Sequence, residues 1–66
     1  MKNSVREERE KQGLTQQELA DMVTVSRQTI YALEIGKYVP STILALKIAK
    51  QLNCEVEELF VLEKGD

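Results

Sequence analysis

Histidine is absent from this chain, cysteine occurs once, and no stretch of about 18 residues is apolar enough to span a bilayer. Without histidine or a cysteine pair there is no familiar zinc ligand set and no histidine base for acyl transfer. There is also no glycine-rich phosphate loop and no nucleophile beside an evident base. No metal site, no cofactor and no catalysis are therefore expected. The missing apolar run, with no signal-peptide pattern, points to a soluble, cytoplasmic protein without a membrane partner. Cys54 alone cannot close an internal disulfide, which agrees with a reducing compartment. It reads as a small core or half-buried residue, with redox sensing as the alternative.

Positive charge is scarce as well. Nine Lys and Arg stand against 11 Asp and Glu, a net of −2, whereas domains that bind nucleic acid are often basic. The distribution matters more than the sum. Residues 1–53 hold eight Lys or Arg and six Asp or Glu, a net of +2; residues 54–66 hold one Lys and five acids, a net of −4. The acidic end is expected to point away from any nucleic-acid partner, and sequence-independent affinity is expected to be modest. Sixty-six residues allow one domain with a small core, to which a partner subunit would add buried surface.

The chain's most informative run is Gln16 to Ile35, QQELADMVTVSRQTIYALEI. Thr15 and Glu18 form the T-x-x-E pattern of a capping box, so a helix is predicted to start at Gln16. Leu19, Ala20, Met22 and Val23 make its apolar face. The pattern stops at Thr24-Val25 and restarts at Ser26, a second N-cap, with Ile30 and Leu33 turned inward. So short a joint cannot fold two helices back antiparallel; it fits the near-perpendicular crossing of a helix-turn-helix. Ala20 would let the second helix cross closely, and Val25 would pack between the two.

The run T-Q-Q-E-L-A-x-x-V-x-V-S-R-Q-T-I-x-x-L-E-x-G-K-Y-x-P-S, continued by ALKIAKQLN and VEELF, resembles the helix-turn-helix family of the lambda-repressor and Cro type, also called the xenobiotic-response-element family. The resemblance spans nearly the whole chain, and its length and short tail look closest to small stand-alone repressors. It implies an all-α fold of five helices, one domain over residues 1–66, and a partly buried ion pair between Arg9 and Glu34. It also implies that the apolar tail leaves the fifth helix as an extended strand, over residues 61–66, that pairs across a dimer. Leu59, Phe60, Val61 and Leu62 are the expected interface; a tail folded on its own core is the alternative.

Five positions depart from the family pattern. Thr24 stands where glycine is usual, and a β-branched residue at positive φ is costly, so another backbone is expected in the turn. Ile35 replaces a usual asparagine and removes one phosphate contact. Glu8 occupies a position often aliphatic, and either gives up core contact or turns outward. Thr42 and Ile43 are exchanged relative to the common order, which leaves Ile43 as a lone surface residue or part of an interface.

The remaining elements follow from local signals. A first helix spans about Ser4 to Gln12, with Gly13 after its end and Leu14 dropping inward. Gly36 caps the third helix, Ser41 starts a fourth over about Thr42 to Leu52, and Asn53 ends it. Leu44, Ala45, Ile48, Ala49 and Leu52 form its inward stripe. Val56, Leu59 and Phe60 belong to a short fifth helix whose first-turn acids suit its positive end.

A reader of duplex DNA needs side chains that reach base edges from the start of its recognition helix, here about residues 27–35. Arg27 can donate twice to guanine and Gln28 can pair with adenine, with Thr29 and Tyr31 as further base contacts. Gln16, Ser26, Lys37 and Tyr38 are the expected phosphate contacts. The function expected is a homodimeric repressor on a palindromic operator, with no small-molecule effector site. An antitoxin or protein-binding adaptor on the same fold is the rival, disfavoured by the few residues that follow Phe60.

Overall fold

Thr15 accepts a hydrogen bond from the Glu18 amide at 3.0 Å, and its own amide donates to the Glu18 carboxylate at 2.8 Å. This reciprocal box starts α2, Gln16–Met22, in a computed structural model that describes residues 1–66. Ser26 accepts from the Thr29 amide and starts α3, Arg27–Glu34; Ser41 accepts from Leu44 and starts α4, Thr42–Leu52. Before them lie β1, Lys2–Asn3, and α1, Val5–Lys11; after them come α5, Val56–Leu59, and β2, Phe60–Val61. The five helices are those expected from the sequence, so the all-α reading holds with a two-stranded sheet added.

Helices α1 to α4 leave through one recurring geometry. At each end a residue with φ between 57° and 80° reverses the chain: Gly13, Thr24, Gly36 and Asn53. The following amide closes on a carbonyl five residues back: Leu14 to Arg9, Val25 to Ala20, Lys37 to Ala32 and Cys54 to Ala49, at 2.9–3.1 Å. These are Schellman closures, which satisfy carbonyls that a helix end leaves open. Thr24 therefore keeps the left-handed backbone, against the expectation of another turn. Its hydroxyl donates to the Val23 carbonyl at 2.6 Å and accepts from Lys47 at 3.3 Å, partners that glycine would lack.

Twelve apolar side chains form the core, drawn from all five helices and β2. Ala20 and Ile30 are wholly buried where α2 and α3 cross, and Val25 packs against this core from the turn. Met22 is a correction: it is 47 % exposed. In a seven-residue helix the buried positions 19, 20 and 23 define a narrow stripe, and position 22 falls about 100° from its centre. Ile43 stands in water, and Glu8 takes the middle course, half-buried with its carboxylate accepting from Lys11 at 3.3 Å.

The tail also differs from expectation. Phe60 is extended rather than helical, and β2 pairs antiparallel with β1 of the same chain, Lys2 opposite Val61 and Asn3 opposite Phe60. The strand thus finds a partner at the chain's own beginning. Leu59 and Phe60, placed at an interface by the sequence reading, are buried in their own core; Val61 and Leu62 remain exposed. Asn3 locks this junction in place. Its side-chain oxygen accepts from the Val5 backbone amide at 3.2 Å and its side-chain nitrogen donates to the Leu33 carbonyl at 2.9 Å, joining the sheet to the end of α3.

Candidate nucleic-acid interface

Ile30 and Leu33 anchor α3 in the core, which fixes the opposite side of that helix toward solvent. Arg27, Gln28 and Tyr31 form this outer stripe, and Ile35 extends it one turn further. Ser26 and Thr29 lie at the helix entry with their hydroxyls 3.0 Å apart, while Thr29 is half-buried. Each therefore partly satisfies the other and turns less polarity outward than Arg27 or Gln28.

The exit of α3 is held by a charged network. Arg9 donates through Nε to Glu34 Oε2 at 2.7 Å and through Nη2 to Oε1 at 3.2 Å, the two-pronged geometry of a strong guanidinium–carboxylate pair. Its third nitrogen donates to the Leu14 carbonyl at 2.6 Å. The two side chains are 9 % and 2 % exposed, so this is a buried pair with its donors used. Hydrogen bonding to Glu34 outweighs burial and pushes the Arg9 pKa up, keeping the guanidinium charged wherever the domain is folded.

Gln16 connects this pair to the outer surface. Its amide nitrogen donates to Glu34 Oε1 at 3.0 Å, and its amide oxygen accepts from Arg27 at 3.4 Å. Gln16, Arg27 and Tyr31 line one polar cleft together with Arg9 and Glu34. The expected phosphate contact at Gln16 thus sits beside two expected base contacts. Its side-chain amide is occupied within the protein. Lys37 and Tyr38 are exposed in the loop after α3 and do not line this cleft. Gly36 places them there, at φ 80°, where the chain turns away from the helix.

Two residues of this region escaped the sequence reading. Lys47 reaches from α4 to the Thr24 hydroxyl, and Asn3 holds the carbonyl of Leu33. Asn3 had one local signal, an amide-bearing residue two before the first helical position; the Lys47 contact spans 23 residues and had none. Cys54 lies outside the interface, where burial, followed by the charges of Glu8 and Glu58, pushes its thiol pKa up and keeps it protonated. No cluster of three His, Cys, Asp or Glu side chains is placed to hold a metal, and no helix is long and apolar enough to cross a membrane.

Comparison with known proteins gives this geometry a context. The helix-turn-helix family profile matches residues 5–59. An HTH-type transcriptional regulator of Methanothermobacter thermautotrophicus is 52 % identical over 65 residues, covering 97 % of this chain and 94 % of that protein. The HTH-type transcriptional regulator YgzD of Bacillus subtilis is 48 % identical over 64 residues, covering 97 % of each. Among solved structures, the restriction-modification controller protein C.AhdI from Aeromonas hydrophila superposes with a TM-score of 0.78 at 36 % identity, covering 85 % of each chain. The profile match takes in the whole of α1 to α5, including the crossing of α2 and α3. The chain belongs to the Cro/C1-type helix-turn-helix family and is a DNA-binding, HTH-type transcriptional regulator.

Proposed function

We propose that the protein binds a palindromic operator as a homodimer and represses transcription by occluding a promoter. The observation that carries this reading is the stripe of Arg27, Gln28 and Tyr31 on a helix whose other side is buried and whose two ends are both fixed. The start of α3 enters the major groove. There Arg27 donates to guanine O6 and N7, Gln28 pairs with adenine N6 and N7, and Thr29 and Tyr31 add shorter-range contacts. Arg27 donates to the half-buried Gln16 at 3.4 Å, a weak bond that a guanine can replace. Ser26, Lys37, Tyr38 and the first turn of α2 at Gln16 meet phosphates and set the register. Two copies about a two-fold axis present two such helices about 34 Å apart, one turn of duplex.

A relative from Acinetobacter baylyi, 41 % identical over 62 residues and covering 56 % of that protein, is named as a competence pilus inhibition repressor, which supports the repressor reading. Selection of bound sites from random duplexes, followed by gel shifts with the selected site, tests the proposal. Arg27→Ala and Gln28→Ala are each expected to lose about 1–3 kcal/mol and to relax one position of the site, while Lys37→Ala mainly lowers the salt slope. Unchanged sequence preference in both base-contact variants would remove α3 as the reader.

A further inference from the structure

The cleft that holds Gln16, Arg27 and Tyr31 has a wall from α1, made by Arg6 and Glu10. Its position follows from what α1 buries. Val5 and Arg9 point into the core, so residues 6 and 10, each one step further along the helix, form a stripe about 100° round from them and border the cleft. The other charges of this run go elsewhere: Glu8 pairs with Lys11 at 3.3 Å, and neither lines the cleft. Arg6 and Glu10 meet each other at 3.5 Å, longer than an ordinary hydrogen bond, with side chains 64 and 55 % exposed. So loose a pair adds little to the fold.

We infer that Arg6 is a further contact to the phosphodiester backbone of duplex DNA, made from α1, and that Glu10 holds the strength of that contact down. The inference rests on the reading above, in which α3 enters the major groove and the start of α2 at Gln16 meets phosphates. Charge supports it. Arg9 and Glu34, buried at the floor of the cleft, neutralise each other, and the Nε, Nη1 and Nη2 atoms of Arg9 all have acceptors within the protein. Gln16 directs its amide nitrogen to Glu34 and its oxygen to Arg27. Arg6 and Arg27 are thus the two cations of the cleft without a close acceptor.

A strand whose phosphates pass Gln16 runs along this wall, where a guanidinium on a flexible stem presents two parallel donors to phosphate oxygens. The exposed contact with Glu10 yields to it at low cost. Glu10 then faces the same phosphate with like charge. Its repulsion offsets part of what Arg6 contributes, which keeps sequence-independent affinity low in a chain whose net charge is −2. Backbone contacts strengthen every duplex alike, whereas base contacts choose among them. A restrained Arg6 therefore leaves the choice of site to α3.

Gel shifts over a range of salt concentrations, with a selected site and an unrelated duplex of the same length, test the assignment. Arg6→Ala is expected to weaken both duplexes about fivefold at about 0.1 M salt and to lower the salt slope by about 0.9, with the ratio of the two affinities unchanged. Arg6→Lys is expected to keep the slope, and Glu10→Gln to strengthen both duplexes. Unaltered affinity and slope in Arg6→Ala overturn the contact. A loss confined to the selected site overturns it as well, since that is the mark of base readout, and so does a slope lost equally in Arg6→Lys. Unchanged or weaker binding by Glu10→Gln overturns the restraint assigned to that carboxylate. Should Arg6→Ala lose its helical circular dichroism, Arg6→Gln takes its place with the same expectations. Arg27→Ala and Gln28→Ala, run alongside, separate the two readings: where they relax sequence preference and Arg6→Ala does nothing, α3 stays the reader and only the α1 contact falls. Where they leave preference intact, α3 falls as the reader whatever Arg6 does.

Discussion

The two ends of α3 are held by different physics. Its exit is fixed by buried charge, with Glu34 gripped by Arg9 at 2.7 Å and by Gln16 at 3.0 Å, and with the Leu33 carbonyl taken by Asn3. Its entry is fixed by backbone geometry and exposed contacts: the Ser26 cap, the left-handed Thr24 and a lysine bond at 3.3 Å. The strong contacts thus lie away from the residues proposed to read DNA. Stability is concentrated at the exit, and the entry, from which Arg27 and Gln28 emerge, is left with contacts that adjust at low cost.

The largest test of this asymmetry is Arg9→Ala, which strands a buried carboxylate and is expected to cost about 3 kcal/mol or more. Thermal denaturation should show it far below Arg6→Ala, whose exposed pair with Glu10 at 3.5 Å is worth about 0.5 kcal/mol or less. Equal small losses would erase the contrast. Thr24→Gly works on the other end and in the other direction: relief of a β-branched residue at φ 60° is expected to stabilise by about 1 kcal/mol in chemical denaturation. A loss of stability would mean that the hydroxyl's two contacts outweigh the strain. Smallest of all is Lys47→Ala, expected to change stability by about 0.3 kcal/mol because the bond is exposed. A loss near that of Arg9→Ala would make the two ends equal.

The helices were legible because each announces itself locally. Thr15, Ser26 and Ser41 all cap as the sequence predicts, Gly13, Gly36 and Asn53 close their helices, and the spacing of Leu44, Ile48 and Leu52 gives α4 its buried side. The Arg9–Glu34 pair came from family resemblance, since nothing local links residues 25 positions apart. Other features depend on where distant segments land. The pairing of Lys2 with Val61, the reach of Lys47 to Thr24 and the linking of Glu34 to Arg27 through Gln16 have no periodic or capping signature. Thr24 was misread because the β-branch penalty was weighed without the hydroxyl's partners. Leu59 and Phe60 were misassigned because an apolar run near a chain end looks the same whether a partner or the chain itself covers it.

The short sheet between β1 and β2 sets a timescale as well as a shape. Contact between Lys2 and Val61 requires nearly the whole chain to close on itself, the largest loop-closure cost among these contacts, whereas α2 and α3 meet across a four-residue turn. The helix-turn-helix can therefore assemble before the sheet zips, and the sheet is the first element to fray. Asn3 travels with that sheet. Each time it opens, the Leu33 carbonyl loses the Asn3 amide and keeps only the Gly36 amide, so amide exchange at β1 and β2 would run ahead of the core while the last turn of α3 flickers in step with them.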